Sequence, residues 1–291
     1  MSVPILNASG CLDALAAPGV AETLDAFVTK TVTPFPREGN PTPRFEETEY
    51  GMLNSIGLQN PGIEAFLAEH LPRLKELDLP LWVSVGGFSA GDYAQVCALL
   101  DEREEVATVE LNLSCPNVEE APETAAELAA AGRTATSKPL YAKLSPATSD
   151  IAETARAVAH AGVDGLSLVN TIRGLSLDER TFAPTIARGA GGYSGPSLRP
   201  IALACVYACA GAVDLPIVGM GGVSTGQDAL ALVAAGATAV ALGTILFSDP
   251  LAAPRVRAEL AVAAAASGHE SPGEVRAKAV ESVASGKAST V

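Results

Sequence analysis

At 291 residues, 48% of them hydrophobic and only 4% aromatic, the chain can fill one large aliphatic core or two ordinary ones, and its composition does not favour disorder. Its 33 acidic against 19 basic residues leave a formal charge of −14, which repels phosphate backbones and anionic bilayers and argues against nucleic-acid and membrane partners. The five scattered cysteines (Cys11, Cys97, Cys115, Cys205, Cys209) form no CxxC, and the N-terminus MSVPILNASG has no secretion-signal pattern, so reduced thiols in a cytoplasmic protein are expected.

In chain order the first strand is expected in PILNAS (4–9) and the second in AFVTKTV (26–32). A Pro/Gly/Asn-rich, turn-heavy segment, residues 31–62, follows the second strand, and a helix is expected at 63–77. LWVSVGG (81–87), a helix at 90–102, TVELNLS (108–114), a helix at 120–132 and LYAKLS (140–145) come next. A helix at 148–161 leads to GLSLVN (165–170), after which residues 171–196 form a second long connection. The remainder alternates again: a helix at 197–211, PIVGMGG (216–222), a helix at 225–235, AVALGT (239–244) and a helix at 249–266. SAGDYAQVCALL and SPATSDIAETARAVAHAG carry helix start signals, Ser or Thr/Asp, and the second is followed by a stop signal, Gly. The uncharged run from Leu230 to Phe247 is divided by Gly236 and Gly243 into a helix end and a strand, which excludes a membrane span.

Apolar strands separated by helices imply a parallel sheet covered on both faces, and eight such units in this length imply an α/β fold of the closed (β/α)8 TIM-barrel type, one domain over residues 1–291. An open doubly wound sheet is the rival. The two long connections leave the C-terminal ends of strands, the face on which barrel enzymes carry their chemistry.

Several residue types collect at that rim. GMGG (219–222) and GT (243–244) end the last two strands, where backbone N–H groups could receive a phosphate or simply make tight turns. Two of the six lysines, Lys30 and Lys143, fall at or near strand ends, where a buried ammonium needs a partner. Asn54, Asn112, Asn117 and Asn170 could serve as turn formers or as readers of a heterocycle with alternating C=O and N–H edges. Cys115 follows a strand and precedes Pro116, a position that suits a thiol reaching the barrel mouth as well as a small buried hydrophobe. No Cys or His stands beside it at ligand spacing, so metal is not expected, and His70, His160 and His269 fall in or after helices, so a base role outranks a Cys–His pair.

Over nearly its whole length the chain resembles class 1 dihydroorotate dehydrogenases, and most of all the NAD-linked class 1B catalytic subunit. The blocks that carry the resemblance are NASG (7–10), TKTVTPFPREGNPTPR (29–44), GMLNSIGLQNPG (51–62), ELNLSCPN (110–117), LYAKLSP (140–146), AGVDGLSLVNT (161–171), GGYSGPSLRPIAL (191–203) and GMGGVSTGQDAL (219–230). The resemblance implies flavin mononucleotide (FMN) on the barrel rim and oxidation of dihydroorotate to orotate in de novo pyrimidine biosynthesis. It makes Cys115 the base that removes the C5 proton while hydride leaves C6 for the flavin. It places Lys143 at the N1/C2 edge of the flavin, where its charge stabilises the reduced ring. Lys30 would lie between flavin and substrate, and Asn54, Ile56, Gly57, Leu58, Asn112, Asn117, Asn170 and Thr171 would hold the pyrimidine. Ala8, Ser9, Gly10, Lys30, Thr31, Asn112, Lys143, Val169, Gly195, Gly221, Gly222, Gly243 and Thr244 would contact the flavin and its phosphate. A homodimer, or a heterotetramer with an iron–sulfur/FAD electron-transfer subunit, is the implied assembly. Other readings open at this point are a related flavin barrel acting on another dihydropyrimidine, a flavin-retaining non-catalytic paralogue, and an aldolase using Lys143 as a Schiff base.

Overall fold

The computed structural model describes residues 2–113 and 124–284. In chain order its strands are β1 (Ile5–Asn7), β2 (Phe27–Val28), β3 (Phe45–Thr48), β4 (Gly51–Asn54), β5 (Leu81–Val85), β6 (Val106–Asn112), β7 (Leu140–Leu144), β8 (Gly165–Leu168), β9 (Ile172–Leu175), β10 (Ala190–Ser194), β11 (Ile217–Met220) and β12 (Ala239–Leu242). Eight of them form a parallel sheet in the order β1-β12-β11-β8-β7-β6-β5-β2. A parallel bridge between Leu6 and Ala26 joins its two ends, so the sheet is a closed (β/α)8 barrel, as the alternation of strands and helices predicts.

The closing seam between β1 and β2 is thin, and a side chain reinforces it. The Asn7 amide accepts a hydrogen bond from the Val28 N–H (2.8 Å) and donates one to the Val28 carbonyl (2.7 Å), occupying both polar groups of a buried residue. Asn7→Ala strands both, and at about 1–3 kcal/mol per unsatisfied buried group it is expected to lower unfolding free energy by about 2–6 kcal/mol in a urea titration. A loss below 1 kcal/mol would show that the seam does not depend on this side chain.

The helices follow the expected sequence, with Ser89, Asp150 and Thr225 each accepting a backbone N–H bond at a helix start. The helix expected at 120–132 occupies Ala125–Ala135, capped by a reciprocal Thr124–Glu127 pair. Gly132 lies inside this helix because a Cβ there would sit 3.1 Å from Leu111 on β6. The helix over 63–77 contains a π turn, Phe66–His70, in which the Leu71 N–H reaches back to the Phe66 carbonyl, just before Pro72 withdraws a donor. The run 230–247 divides into a helix end, β12 and a short helix, and no helix among the described residues is long and apolar enough to cross a membrane.

Side chains alternate along each strand, and the outward set packs against the helices as one aliphatic core. The inward set is two-sided. From β11, β12, β1 and β2 come Val218, Met220, Ala239, Ala241, Leu6, Ala26 and Val28, packed with Trp82 and Tyr141. From β5 to β8 come Ser84, Thr108, Glu110, Asn112, Lys143 and Ser167, all buried. The continuous apolar strands of the sequence pattern therefore describe the helix-facing side, and half of the barrel interior is polar.

The two long connections are not plain loops. They supply a second, antiparallel sheet in the order β3-β4-β10-β9, in which Asn54 of the first connection pairs with Gly192 of the second. Glu46–Glu47 and Gly191–Gly192 lack strand-like composition, and pairing across the barrel mouth supplies what propensity does not.

Candidate active site

At the C-terminal ends of the barrel strands, against the second sheet, lies a cavity of about 900 Å³. Every described residue that the sequence places in the site lines it. Ala8, Ser9 and Gly10 follow β1, Lys30 and Thr31 follow β2, Asn54 ends β4, and Ile56, Gly57 and Leu58 come just after it. Asn112 and Lys143 come from β6 and β7, Val169, Asn170 and Thr171 from the end of β8, and Gly195 follows β10. Gly221 and Gly222 follow β11, and Gly243 and Thr244 follow β12. Cys115 and Asn117 lie outside the described residues. A parallel barrel aligns all its strand ends on one rim, which is why positions spread over more than two hundred residues meet here.

The polar wall is fixed by its own hydrogen bonds. Thr31 Oγ1 and Ser84 Oγ lie 3.0 Å apart, Asn112 Nδ2 donates to Thr31 Oγ1 (3.2 Å), and Asn170 Nδ2 donates to Asn112 Oδ1 (3.1 Å). Asn170 Oδ1 in turn accepts the Thr171 N–H at 2.8 Å. This chain crosses the rim above the polar half of the interior and sets the direction of each amide. Opposite it, Gly57 (φ +74°) and Leu58 (φ +56°) turn the chain under Asn40, where a Cβ on residue 57 would lie 2.5 Å from Asn40 Oδ1.

Cationic groups and free donors face the same space. Lys143 is buried, donates to Ser9 Oγ (3.1 Å) and stands 3.8 Å from Glu110 Oε1. Among the described residues, no hydrogen-bond acceptor takes the backbone N–H groups of Gly221, Gly222, Gly243 or Thr244. These four donors, at adjacent strand ends, suit an anion such as a phosphate. Thr244 Oγ1 bonds Ser194 Oγ at 2.8 Å and ties this end of the cavity to the second sheet.

Lys30 is open to the cavity yet walled in by it, and this poor solvation, with repulsion from Arg44, holds its amine below the usual lysine range, while Cys11 draws it back up. The ammonium is stable below that lowered value and lost as pH rises through it, so attraction for an anionic ligand fades earlier than for an ordinary lysine. Binding of an anionic ligand is expected to weaken on the alkaline side, and Lys30→Arg, whose guanidinium stays charged, is expected to flatten that limb. Identical limbs in wild type and variant would remove Lys30 from ligand binding.

Cys11 also lines the cavity and was legible only as one of five dispersed thiols. Burial pushes its thiol up, against the pull of Lys143 and Lys30, so at neutral pH it is a protonated thiol rather than a base. Sequence reasoning also missed Arg37, Asn40, Arg173 and Arg188, which line the cavity from the two long connections. Their signal was their position in those connections. No cluster of three or more His, Cys, Asp or Glu residues among the described residues could hold a metal ion.

The family model for dihydroorotate dehydrogenase matches residues 1–263. The "Dihydroorotate dehydrogenase B (NAD(+)), catalytic subunit" of Listeria monocytogenes is 45% identical over 267 residues, covering 88% of each chain. Its counterparts in Halalkalibacterium halodurans and Geobacillus kaustophilus are 43% and 42% identical, covering 89% and 88% of this chain and 88% and 85% of theirs. The crystal structure of an Eimeria tenella dihydroorotate dehydrogenase in complex with ferulenol superposes with a TM-score of 0.78 at 22% identity, over 95% of this chain and 85% of that one, which fixes the fold. The family match and these relatives place the chain in the dihydroorotate dehydrogenase family and support the NAD-linked class 1B: it is an oxidoreductase that oxidises dihydroorotate in pyrimidine biosynthesis.

Proposed function

We propose that the cavity holds FMN together with dihydroorotate and that Cys115 is the base of the oxidation. The family is flavin-dependent, and what favours FMN is the convergence in one cavity of a buried ammonium, Lys143, with the N–H groups after β11 and β12 that no acceptor among the described residues takes. Ligand sites commonly measure about 300–1,000 Å³. A volume of about 900 Å³ suits a cofactor and a small ring side by side. When bound, FMN supplies the hydride acceptor.

The chain's own residues do the rest. The thiolate of Cys115 takes the C5 proton, and the electron pair left behind forms the C5=C6 double bond as the C6 hydrogen departs with its own pair. Gly221, Gly222, Gly243 and Thr244 hold the phosphate through backbone donors. Asn54, Asn112, Asn117, Asn170 and Thr171, with the turn at Ile56–Leu58, read the edges of the pyrimidine, and the bonded chain from Thr31 to Thr171 keeps those amides aligned. Lys30 attracts the carboxylate, and Lys143 offsets the negative charge that accompanies hydride acceptance. The ion pair between Lys143 and Glu110 favours this electrostatic role over a Schiff base, which needs a free amine.

The relatives are named as catalytic subunits of NAD-linked enzymes, which supports assembly with an iron–sulfur/FAD subunit that carries electrons onward; a homodimer of this chain at the centre of that assembly and a cytoplasmic setting complete the proposal. The test is the visible spectrum of the purified protein, followed by anaerobic addition of dihydroorotate. A yellow protein that bleaches, and is re-oxidised through a partner by NAD rather than by fumarate, is the expected result. A protein that stays colourless after incubation with FMN would overturn it.

A further inference from the structure

Glu110 is not explained by any of these roles. It sits on β6 inside the barrel, one interior layer below Asn112, and is 1% exposed. Its Oε1 atom is buried and, among the described residues, accepts no hydrogen bond. Among the described residues its one ion-pair partner is Lys143, at 3.8 Å. Burying a carboxylate is costly unless a cation compensates it, and the opposite half of the same interior shows that aliphatic residues fill this barrel well. Its register partners, Ser84 on β5 and Tyr141 on β7, bring no opposite charge to it, and among the described residues Ser167 Oγ is itself unpartnered. The carboxylate is therefore directed at Lys143 rather than at packing.

We infer that Glu110 is a positioning residue: its carboxylate anchors the Lys143 ammonium from below while Ser9 aims it from the side, and its negative charge sets how strongly the bound flavin attracts electrons. The inference rests on the flavin reading for its second half only. Lys143 alone would make the flavin a stronger oxidant, since a cation favours the electron-rich form. A fixed anion one layer beneath offsets that pull, and the low local dielectric keeps the effect from being screened. A flavin of restrained oxidising power can pass electrons on to a nicotinamide-level acceptor, whereas one facing an uncompensated lysine would hold them.

Two measurements test this. In the flavin-loaded full chain, Glu110→Gln keeps the shape and removes the charge; its midpoint potential is expected to rise by a tenfold or greater change in the reduction equilibrium, about 30 mV or more for a two-electron couple. Glu110→Asp, which keeps the charge, is expected to stay within that tenfold of wild type. An unchanged or lowered potential in Glu110→Gln overturns the inference, because a purely structural role would not move the potential upward.

The second measurement needs no flavin. With only six lysines in the chain, nitrogen-15 spectra of the lysine ammonium groups are sparse, and the signal lost in Lys143→Met is that of Lys143. In the wild-type protein with or without flavin, that ammonium is expected to exchange its protons slowly, as an ion-paired buried group does. A Lys143 signal averaged with solvent overturns the anchoring. A colourless protein with a protected Lys143 ammonium would instead sink the flavin reading and leave the anchoring intact.

Discussion

Cys115→Ser is expected to slow the anaerobic bleaching of the flavin by dihydroorotate about 10²–10⁴-fold at neutral pH, the range of a lost general base. A serine hydroxyl ionises far above a thiol, so the variant's rate should climb steadily with pH where the wild type has levelled off. Another thiol, that of Cys11, lines the cavity, and its state makes the prediction sharp. Burial pushes the Cys11 thiol up, which disfavours the thiolate that would be needed to take over. Cys11→Ala should bleach at near the wild-type rate, and the double variant should behave as Cys115→Ser alone. Stopped-flow absorbance separates these cases, and wild-type rates in Cys115→Ser would remove the cysteine from the chemistry.

Lys143→Met has two effects that come apart in one further variant. Loss of a charge aimed at the developing negative charge is expected to cost about 10²–10³-fold in the rate of flavin reduction. The same substitution leaves the Glu110 carboxylate buried without its cation. Removing one partner of a buried pair typically costs about 3–5 kcal/mol of stability. Lys143→Met combined with Glu110→Gln removes the stranded charge as well, so most of the stability should return while the rate stays low. Denaturant titration reads the first and stopped-flow reads the second. If stability and rate recover together, Lys143 acts only through the fold.

The eight barrel strands were legible because β-branched and leucine runs recur between helical periods, and the closed barrel follows from their number. What the pattern hid was direction. Val109 and Leu111 of β6 face the helices, whereas Thr108, Glu110 and Asn112 face inward, and a run of mixed residues does not show which alternate set lines a polar half-interior. The second sheet was hidden for a different reason. FEET and AGGYS carry charge and glycine where strands usually carry branched side chains, so only long-range pairing makes them strands. The site was legible in its lysines, asparagines and glycine turns, since polar residues at strand ends stand out against aliphatic neighbours. Glu110 stands inside the ELNLSCPN motif, yet a carboxylate in a strand gives no sign of what it faces until the register with β7 is known.

The second sheet also imposes an order of assembly. Asn54 bonds Gly192 across 138 residues of chain, so during synthesis the β3–β4 hairpin is complete long before its partner exists. At about 5–20 residues per second the ribosome needs about 7–28 s to deliver that partner. Throughout that interval the nascent chain offers an unpaired edge to chaperones and to neighbouring copies, and the catalytic chamber is among the last parts of the newborn protein to close.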